Sequence, residues 1–171
     1  MVIWLIGLSG AGKTTIGRHV YEMYKEKYQN TVFIDGDEIR KIFGDSETVE
    51  SYTIKGRRKN AERITELCAW LDRQDIHVVC CILSIFPEMR KLNPERFSSY
   101  FEAYIKVPME NIRRKDGKGL YSAAINNEIK NVVGVQIPFP EPKFADIVID
   151  NSNFEINPKV HAEQIIRKAI K

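Results

Sequence analysis

The stretch that decides the fold is Gly7-Leu8-Ser9-Gly10-Ala11-Gly12-Lys13-Thr14, with Val2-Ile3-Trp4-Leu5-Ile6 directly before it. The octet satisfies G-x-x-x-x-G-K-[ST] at every required position. Its glycines let the backbone curl so that several N–H groups point at a phosphate chain. Lys13 supplies a point charge for the β- and γ-phosphates, and Thr14 offers a hydroxyl to Mg²⁺. The preceding apolar run reads as a strand buried on both faces of a parallel sheet. A helix pattern follows and turns its positive end to the same anions. A nucleoside triphosphate, ATP, is therefore the expected ligand, with Mg²⁺ beside it.

Working outward, further short apolar runs occur at Thr31 to Asp35, Ile76 to Ile82, Phe101 to Val107 and Ala145 to Asp150. Helical patterns lie between them. The clearest spans about Arg57 to Arg73, with Ala61, Ile64, Leu67, Cys68 and Leu71 on one stripe. Another starts after Pro158, a favourable first-turn residue. Alternation of this kind predicts an α/β P-loop NTPase fold: a five-stranded, mostly parallel sheet with helices on both faces. Ligands then gather at the carboxyl ends of the strands. Residues 1–171 read as a single kinase domain. The stretch 114–144, rich in Gly and Pro, reads as a mobile lid and not as a core element.

Composition sets the outer bounds. The chain has 171 residues, 26 basic against 23 acidic, and a net charge of +3. That balance is too mild for nucleic acid as the main ligand, and no apolar run approaches the length of a membrane span. Cys68, Cys80 and Cys81 form no CxxC spacing, so buried thiols in a reducing cytoplasm are expected, without a disulfide framework or zinc site. His19, His77 and His161 lack ligand spacing. The apolar start has no basic flank and is too short for a signal peptide. A guanine-reading Asn-Lys-x-Asp segment is absent, which argues against a GTPase and leaves a kinase for a small acceptor.

Asp35-Gly36-Asp37 closes the second run. Two carboxylates at a strand end can order Mg²⁺ waters and orient an attacking hydroxyl. Thr14 and Asp35 are thus the metal candidates, and Lys13 and Asp37 the catalytic ones. Arg40 follows, then Arg57 and Asn60, three apart and so on one helix face.

These elements resemble the adenylylsulfate kinase family, and the resemblance covers nearly the whole chain. The family's P-loop, its Asp-Gly-Asp-x-x-Arg element (Asp35, Gly36, Asp37, Arg40) and its Arg-x-x-Asn (Arg57, Asn60) all match. Its Ile-Ser-Pro-Phe segment with a trailing Arg looks like Leu83-Ser84-Ile85-Phe86 and Arg90. Its Asp-x-Lys-Gly-Leu-Tyr signature matches Asp116, Lys118, Gly119, Leu120 and Tyr121. The resemblance implies transfer of the ATP γ-phosphate to the ribose 3′-hydroxyl of a nucleotide with a substituted 5′-phosphate anhydride. It puts Asp37 beside that hydroxyl as orienter or base. It puts Arg40, Arg57 and Asn60 at the acceptor's anionic end and sugar, with Ser84 and Ile85 nearby. Lys118, Gly119 and Leu120 would begin the lid. Gly7, Ser9, Gly10, Ala11, Gly12, Lys13, Thr14, Thr15 and Arg114 would hold ATP.

The departures concern the acceptor base. The family sandwiches it between two Phe rings. Tyr52 occupies the first ring position and preserves stacking, whereas the second falls on Val132, which cannot stack. Glu38 stands where the family has Asn, and Gly134-Val135-Gln136-Ile137 replaces Gly-Ile-Asp-Asp, so two lid acids are gone. A stacked base is worth about 1–3 kcal/mol. Half a sandwich leans toward a smaller pyrimidine, and hence toward the family's cytidine diphosphoramidate branch, which serves phosphoramidate-modified capsular polysaccharide. The alternative is adenylyl sulfate, on the path of sulfate assimilation. A reading of another class is a nucleotide-binding regulatory protein without catalysis; it would be favoured if Lys13 or Asp37 were missing, and both are present. A homodimer is compatible with the sequence.

Overall fold

The computed structural model describes residues 1–45, 48–117 and 119–170. The expectation placed on Lys118 therefore lies outside the described residues. Five strands form one sheet: β1 (Val2–Ile6), β2 (Thr31–Asp35), β3 (His77–Ile82), β4 (Tyr100–Lys106) and β5 (Ile147–Asp150). Their order is β2-β3-β1-β4-β5, and every neighbouring pair is parallel. The expected "mostly parallel" sheet is thus wholly parallel. Central β1 is buried at all five positions, which is why it reads as an unbroken apolar run with no alternation.

Helix α1 (Lys13–Lys27) buries Ile16, Gly17, Val20 and Tyr24, a one-sided stripe that packs on the sheet and against α7 (Pro158–Ala169). A short helix α2 (Gly36–Ile42) follows β2, and a single 3-10 turn (Val49–Tyr52) leads to α3 (Ile54–Asp72). The buried positions of α3 are Asn60, Ala61, Ile64, Thr65, Cys68, Ala69 and Asp72. Their spacing of three and four is the helical stripe expected of this stretch, extended by two polar ends. Right-handed crossovers place α1 and α3 on opposite faces of the sheet. Helix α4 (Pro87–Arg96) starts on Pro87, and α5 (Met109–Arg114) follows β4.

The 114–144 stretch corrects the expectation of a flap outside the core. It contains helix α6 (Leu120–Ile125), and Tyr121, Ala124, Val132, Val133 and Ile137 are all buried. Gly119 and Asp116 cap that helix. Asp116 Oδ2 accepts from the backbone N–H groups of Tyr121 and Ser122 and from the Ser122 hydroxyl, closing the first turn of α6. Those bonds outweigh the burial effect and hold the Asp116 carboxyl below its ordinary pKa. All three cysteines are buried thiols. Among the described residues, no helix is long and apolar enough to cross a membrane.

Candidate active site

The phosphate loop joins β1 to α1 at the carboxyl edge of the sheet. Gly7 passes so near β4 that a Cβ there would lie 2.5 Å from the Ile105 carbonyl oxygen. Gly12 caps α1 with φ +94°, a left-handed conformation that a side chain would strain. Lys13 Nζ donates to the Leu8 carbonyl at 2.8 Å, folded back over the loop. Burial pushes the Lys13 ammonium below its ordinary pKa, while Cys81, Asp37 and Asp35 draw it back up. A half-buried cation on a glycine-rich loop that opens a helix suits a phosphate chain.

Three side chains brace this loop from outside. Tyr121 OH donates to the Ser9 carbonyl at 2.9 Å, Asn151 Nδ2 to the Ala11 carbonyl at 2.9 Å, and Cys81 Sγ to the Lys13 carbonyl at 3.3 Å. None of these roles was read from the sequence. Tyr121 lay within a matched motif; Asn151 and Cys81 carried no local signal. Thr15 is exposed on the first turn of α1. Arg114 is exposed at the end of α5, whose Ile112 lies beside Gly10.

A continuous chain of hydrogen bonds runs from the loop to Arg40. Thr14 Oγ1 donates to Asp35 Oδ2 at 2.7 Å. Asp35 Oδ1 accepts from the Asp37 N–H at 2.9 Å, because Asp35 is the N-cap of α2. Asp37 Oδ1 accepts from Arg40 Nη1 at 2.9 Å. Capping thus fixes the Asp35 carboxylate at the end of β2, while Arg40 orients that of Asp37. The Thr14 hydroxyl and the Asp35 carboxylate are hard oxygen donors side by side, a pair that fits Mg²⁺. No cluster of three or more His, Cys, Asp or Glu exists among the described residues. A P-loop cation does not need one, since phosphates and water complete its shell.

Arg40 and Arg57 converge on Tyr52, their guanidinium carbons 4.8 and 5.5 Å from its ring centroid. Arg57 Nε donates to the Tyr52 carbonyl at 2.8 Å, and Nη2 to the Asn131 carbonyl at 2.9 Å. Burial, and next the positive charge of Arg40, lower the Arg57 pKa to about 10. Arg40 is ion-paired with Asp37, while Arg57 bonds backbone carbonyls, so two neighbouring guanidiniums leave the patch suited to an anion. Asn60 Nδ2 donates to the Gly36 carbonyl at 3.2 Å, while Asn60 Oδ1 and Arg40 Nε are buried without a partner among the described residues. Glu38, the added acid, is ion-paired with Lys41 at 2.7 Å.

The structure therefore brings together Lys13, Thr14, Asp35, Asp37, Arg40, Tyr52, Arg57 and Asn60. Ser84 is buried with φ +55° and shares a small cavity with Ala61, which sets the loop after β3 beside Asn60; Ile85 is buried next to it. Gly119 is exposed and caps α6, and Leu120 is half-buried on its first turn. Val132 is buried, one residue from the carbonyl that holds Arg57. Tyr52, expected to stack on the acceptor base, has its ring beside the two arginines.

A parallel P-loop sheet whose phosphate cradle is hydrogen-bonded through two acids to a basic patch defines a P-loop kinase. The chain belongs to the adenylylsulphate kinase family, whose model matches residues 1–150, and is a nucleotide kinase of that type. It is 41% identical over 167 residues to the cytidine diphosphoramidate kinase of Campylobacter jejuni, covering 98% of this chain and 95% of that protein. It is 32% identical over 162 residues to the adenylyl-sulfate kinase of Paraburkholderia xenovorans, covering 93% and 88%. The fold superposes on the Mycobacterium tuberculosis APS kinase in complex with AMPPNP and APS with a TM-score of 0.84, at 24% identity, covering 99% of this chain and 97% of that one.

Proposed function

We propose that this kinase transfers the γ-phosphate of MgATP to the ribose 3′-hydroxyl of a nucleotide whose 5′-phosphate carries an anhydride substituent, and that the preferred acceptor is cytidine diphosphoramidate. The observation that carries the reaction type is the unbroken link Thr14–Asp35–Asp37–Arg40, which holds a carboxylate between a phosphate cradle and an anion-binding patch. Asp37 receives the proton of the 3′-hydroxyl as its oxygen bonds to the γ-phosphorus and the bond to the β–γ bridging oxygen breaks, releasing ADP. Lys13 holds the β- and γ-phosphates. Arg40, Arg57 and Asn60 bind the 5′ anion, with Ser84 and Ile85 at its side. Thr14 and Asp35 would hold Mg²⁺, which would supply charge neutralisation for the transferring phosphate. Residues 114–144 serve as the lid, with Gly119 and Leu120 at its start, and exclude water that would otherwise compete as acceptor.

Two observations support the cytidine acceptor. Val132 offers no ring where the resemblance places the second stacking Phe. The chain is also 41% identical to a cytidine diphosphoramidate kinase, against 28–34% for the adenylyl-sulfate kinases it matches. Adenylyl sulfate is the second reading, favoured by the aromatic ring of Tyr52 beside the acceptor arginines.

The test is an acceptor panel with ATP and Mg²⁺: cytidine diphosphoramidate, adenylyl sulfate, CDP and AMP, with the product's phosphate located by ³¹P NMR. A 3′-phosphorylated cytidine product formed with the highest kcat/KM is the expected result. Efficient turnover of adenylyl sulfate with cytidine acceptors ignored would replace the first reading by the second. ATP hydrolysis with no acceptor phosphorylated would remove both.

A further inference from the structure

We infer that Gln136 is a positioning residue that sets Arg57 for the acceptor; this rests on the role proposed for Arg57 above. Gln136 lies on an exposed stretch, yet its side chain makes three backbone hydrogen bonds. Its Oε1 accepts from the Val132 N–H at 2.9 Å, and its Nε2 donates to the carbonyls of Ala124 at 3.0 Å and Ile129 at 3.3 Å. An exposed glutamine gives up rotamer freedom to be held this way, so the arrangement is a brace and not a solvated side chain.

The Val132 N–H and the Asn131 carbonyl belong to one peptide unit. That unit is planar, with its N–H and C=O pointing in opposite directions. Gln136 grips one end and Arg57 Nη2 grips the other, at 2.9 Å each. Rotating the peptide would release both bonds together. Asn131 sits at φ +64°, a left-handed turn conformation that Asn tolerates better than most residues with a side chain. Downstream, the Val132 carbonyl, in the next peptide unit, accepts from the N–H groups of Val135, Gln136 and Ile137, which ties down the adjoining backbone. Arg57 Nε is fixed independently on the Tyr52 carbonyl, so the Asn131 oxygen decides how the guanidinium plane is turned.

The other arm reaches the donor side. Ala124 is in α6, and Tyr121 of the same helix donates to the Ser9 carbonyl in the phosphate loop. Gln136 is therefore the junction between an element anchored on the loop and the carbonyl that orients the acceptor arginine. An amide is the side chain that fits: one oxygen to accept, one NH₂ to donate twice.

The experiment compares Gln136→Ala, Gln136→Met, Arg57→Ala and the double variant Arg57→Ala/Gln136→Ala, assayed with ATP against cytidine diphosphoramidate and adenylyl sulfate in parallel. Loss of the brace should raise acceptor KM about threefold to tenfold, the range for one net hydrogen bond, with kcat and ATP KM moving less than about twofold. Met keeps the side-chain length without its hydrogen bonds and should match Ala. The double variant should equal Arg57→Ala, because Gln136 acts only through that arginine. In parallel, amide exchange of Val132 should speed up in Gln136→Met relative to wild type. The proposal is overturned by a wild-type acceptor KM in Gln136→Met, by multiplicative effects in the double variant, or by unchanged Val132 exchange. A wild-type acceptor KM in Arg57→Ala would instead remove the role given to Arg57, an outcome visible without any Gln136 variant.

Discussion

Gly17→Ala puts the seating of α1 to a quantitative test. Gly17 faces the sheet one turn after Lys13. A Cβ there would sit far inside van der Waals contact with Cys81 Sγ, 3.3 Å from Phe33 Cε2 and 3.6 Å from Leu5 Cδ2. All of this is packed interior, where the helix and β3 must separate to admit a methyl group. Overpacking of this kind costs about 1–3 kcal/mol. Alanine returns about 1 kcal/mol in helix propensity. The net loss should reach about 2 kcal/mol, a fall in Tm of roughly 4–8 °C for a chain of this size. Cys81→Ala removes the atom that clashes. In that background the same Gly17→Ala change should be neutral or favourable by up to about 1 kcal/mol, since the Phe33 contact needs only a small adjustment. Because Cys81 also donates to the Lys13 carbonyl, Gly17→Ala should raise the KM for ATP as well. Urea unfolding of the four proteins, followed by the fluorescence of buried Trp4, gives the coupling directly. A Gly17→Ala variant more stable than wild type, or an equal cost in both Cys81 backgrounds, would refute the contact.

Lys13→Ala should abolish turnover and leave the fold intact, because the hydrogen bond of its ammonium is to a loop carbonyl, that of Leu8, and not to the core; activity assays beside circular dichroism check this. Asp37→Asn should lower kcat by about 10²–10⁴ with a small change in acceptor KM, since orientation of the hydroxyl matters most in the transition state. The Asp37 side chain is 78% exposed, so unfolding curves should barely move; a rise in KM alone would make Asp37 a binding residue. Val132→Phe should shift the kcat/KM ratio toward adenylyl sulfate by up to about tenfold, corresponding to about 1.4 kcal/mol of restored stacking. A ratio unchanged in a variant that melts normally would sever Val132 from base choice.

Much of the donor site was legible because its chemistry is local. Gly7 answers to a close approach to β4 and Gly12 to a left-handed backbone, and Asp35 caps the next helix with its own side chain. The stripe of α3 and the apolar run of β1 follow from burial of a helix face and of both strand faces. The 114–144 stretch misled for an equally local reason. Its turn residues mark where the chain bends, and composition cannot tell a bend in solvent from a cap that delivers Tyr121 and Val132 into the core.

The sequence by itself determined a P-loop kinase and singled out Lys13, Thr14, Asp35, Asp37, Arg40 and Arg57, which the fold brings together. Only the tertiary structure decided the strand order β2-β3-β1-β4-β5 and the contacts made across it. Tyr121 reaches Ser9 across 112 positions, Asn151 reaches Ala11 across 140, and Arg57 reaches Asn131 across 74. Residue type and spacing report how a segment prefers to fold on itself. A hydrogen bond between distant segments depends on how every intervening element packs, and that information is spread through the whole core.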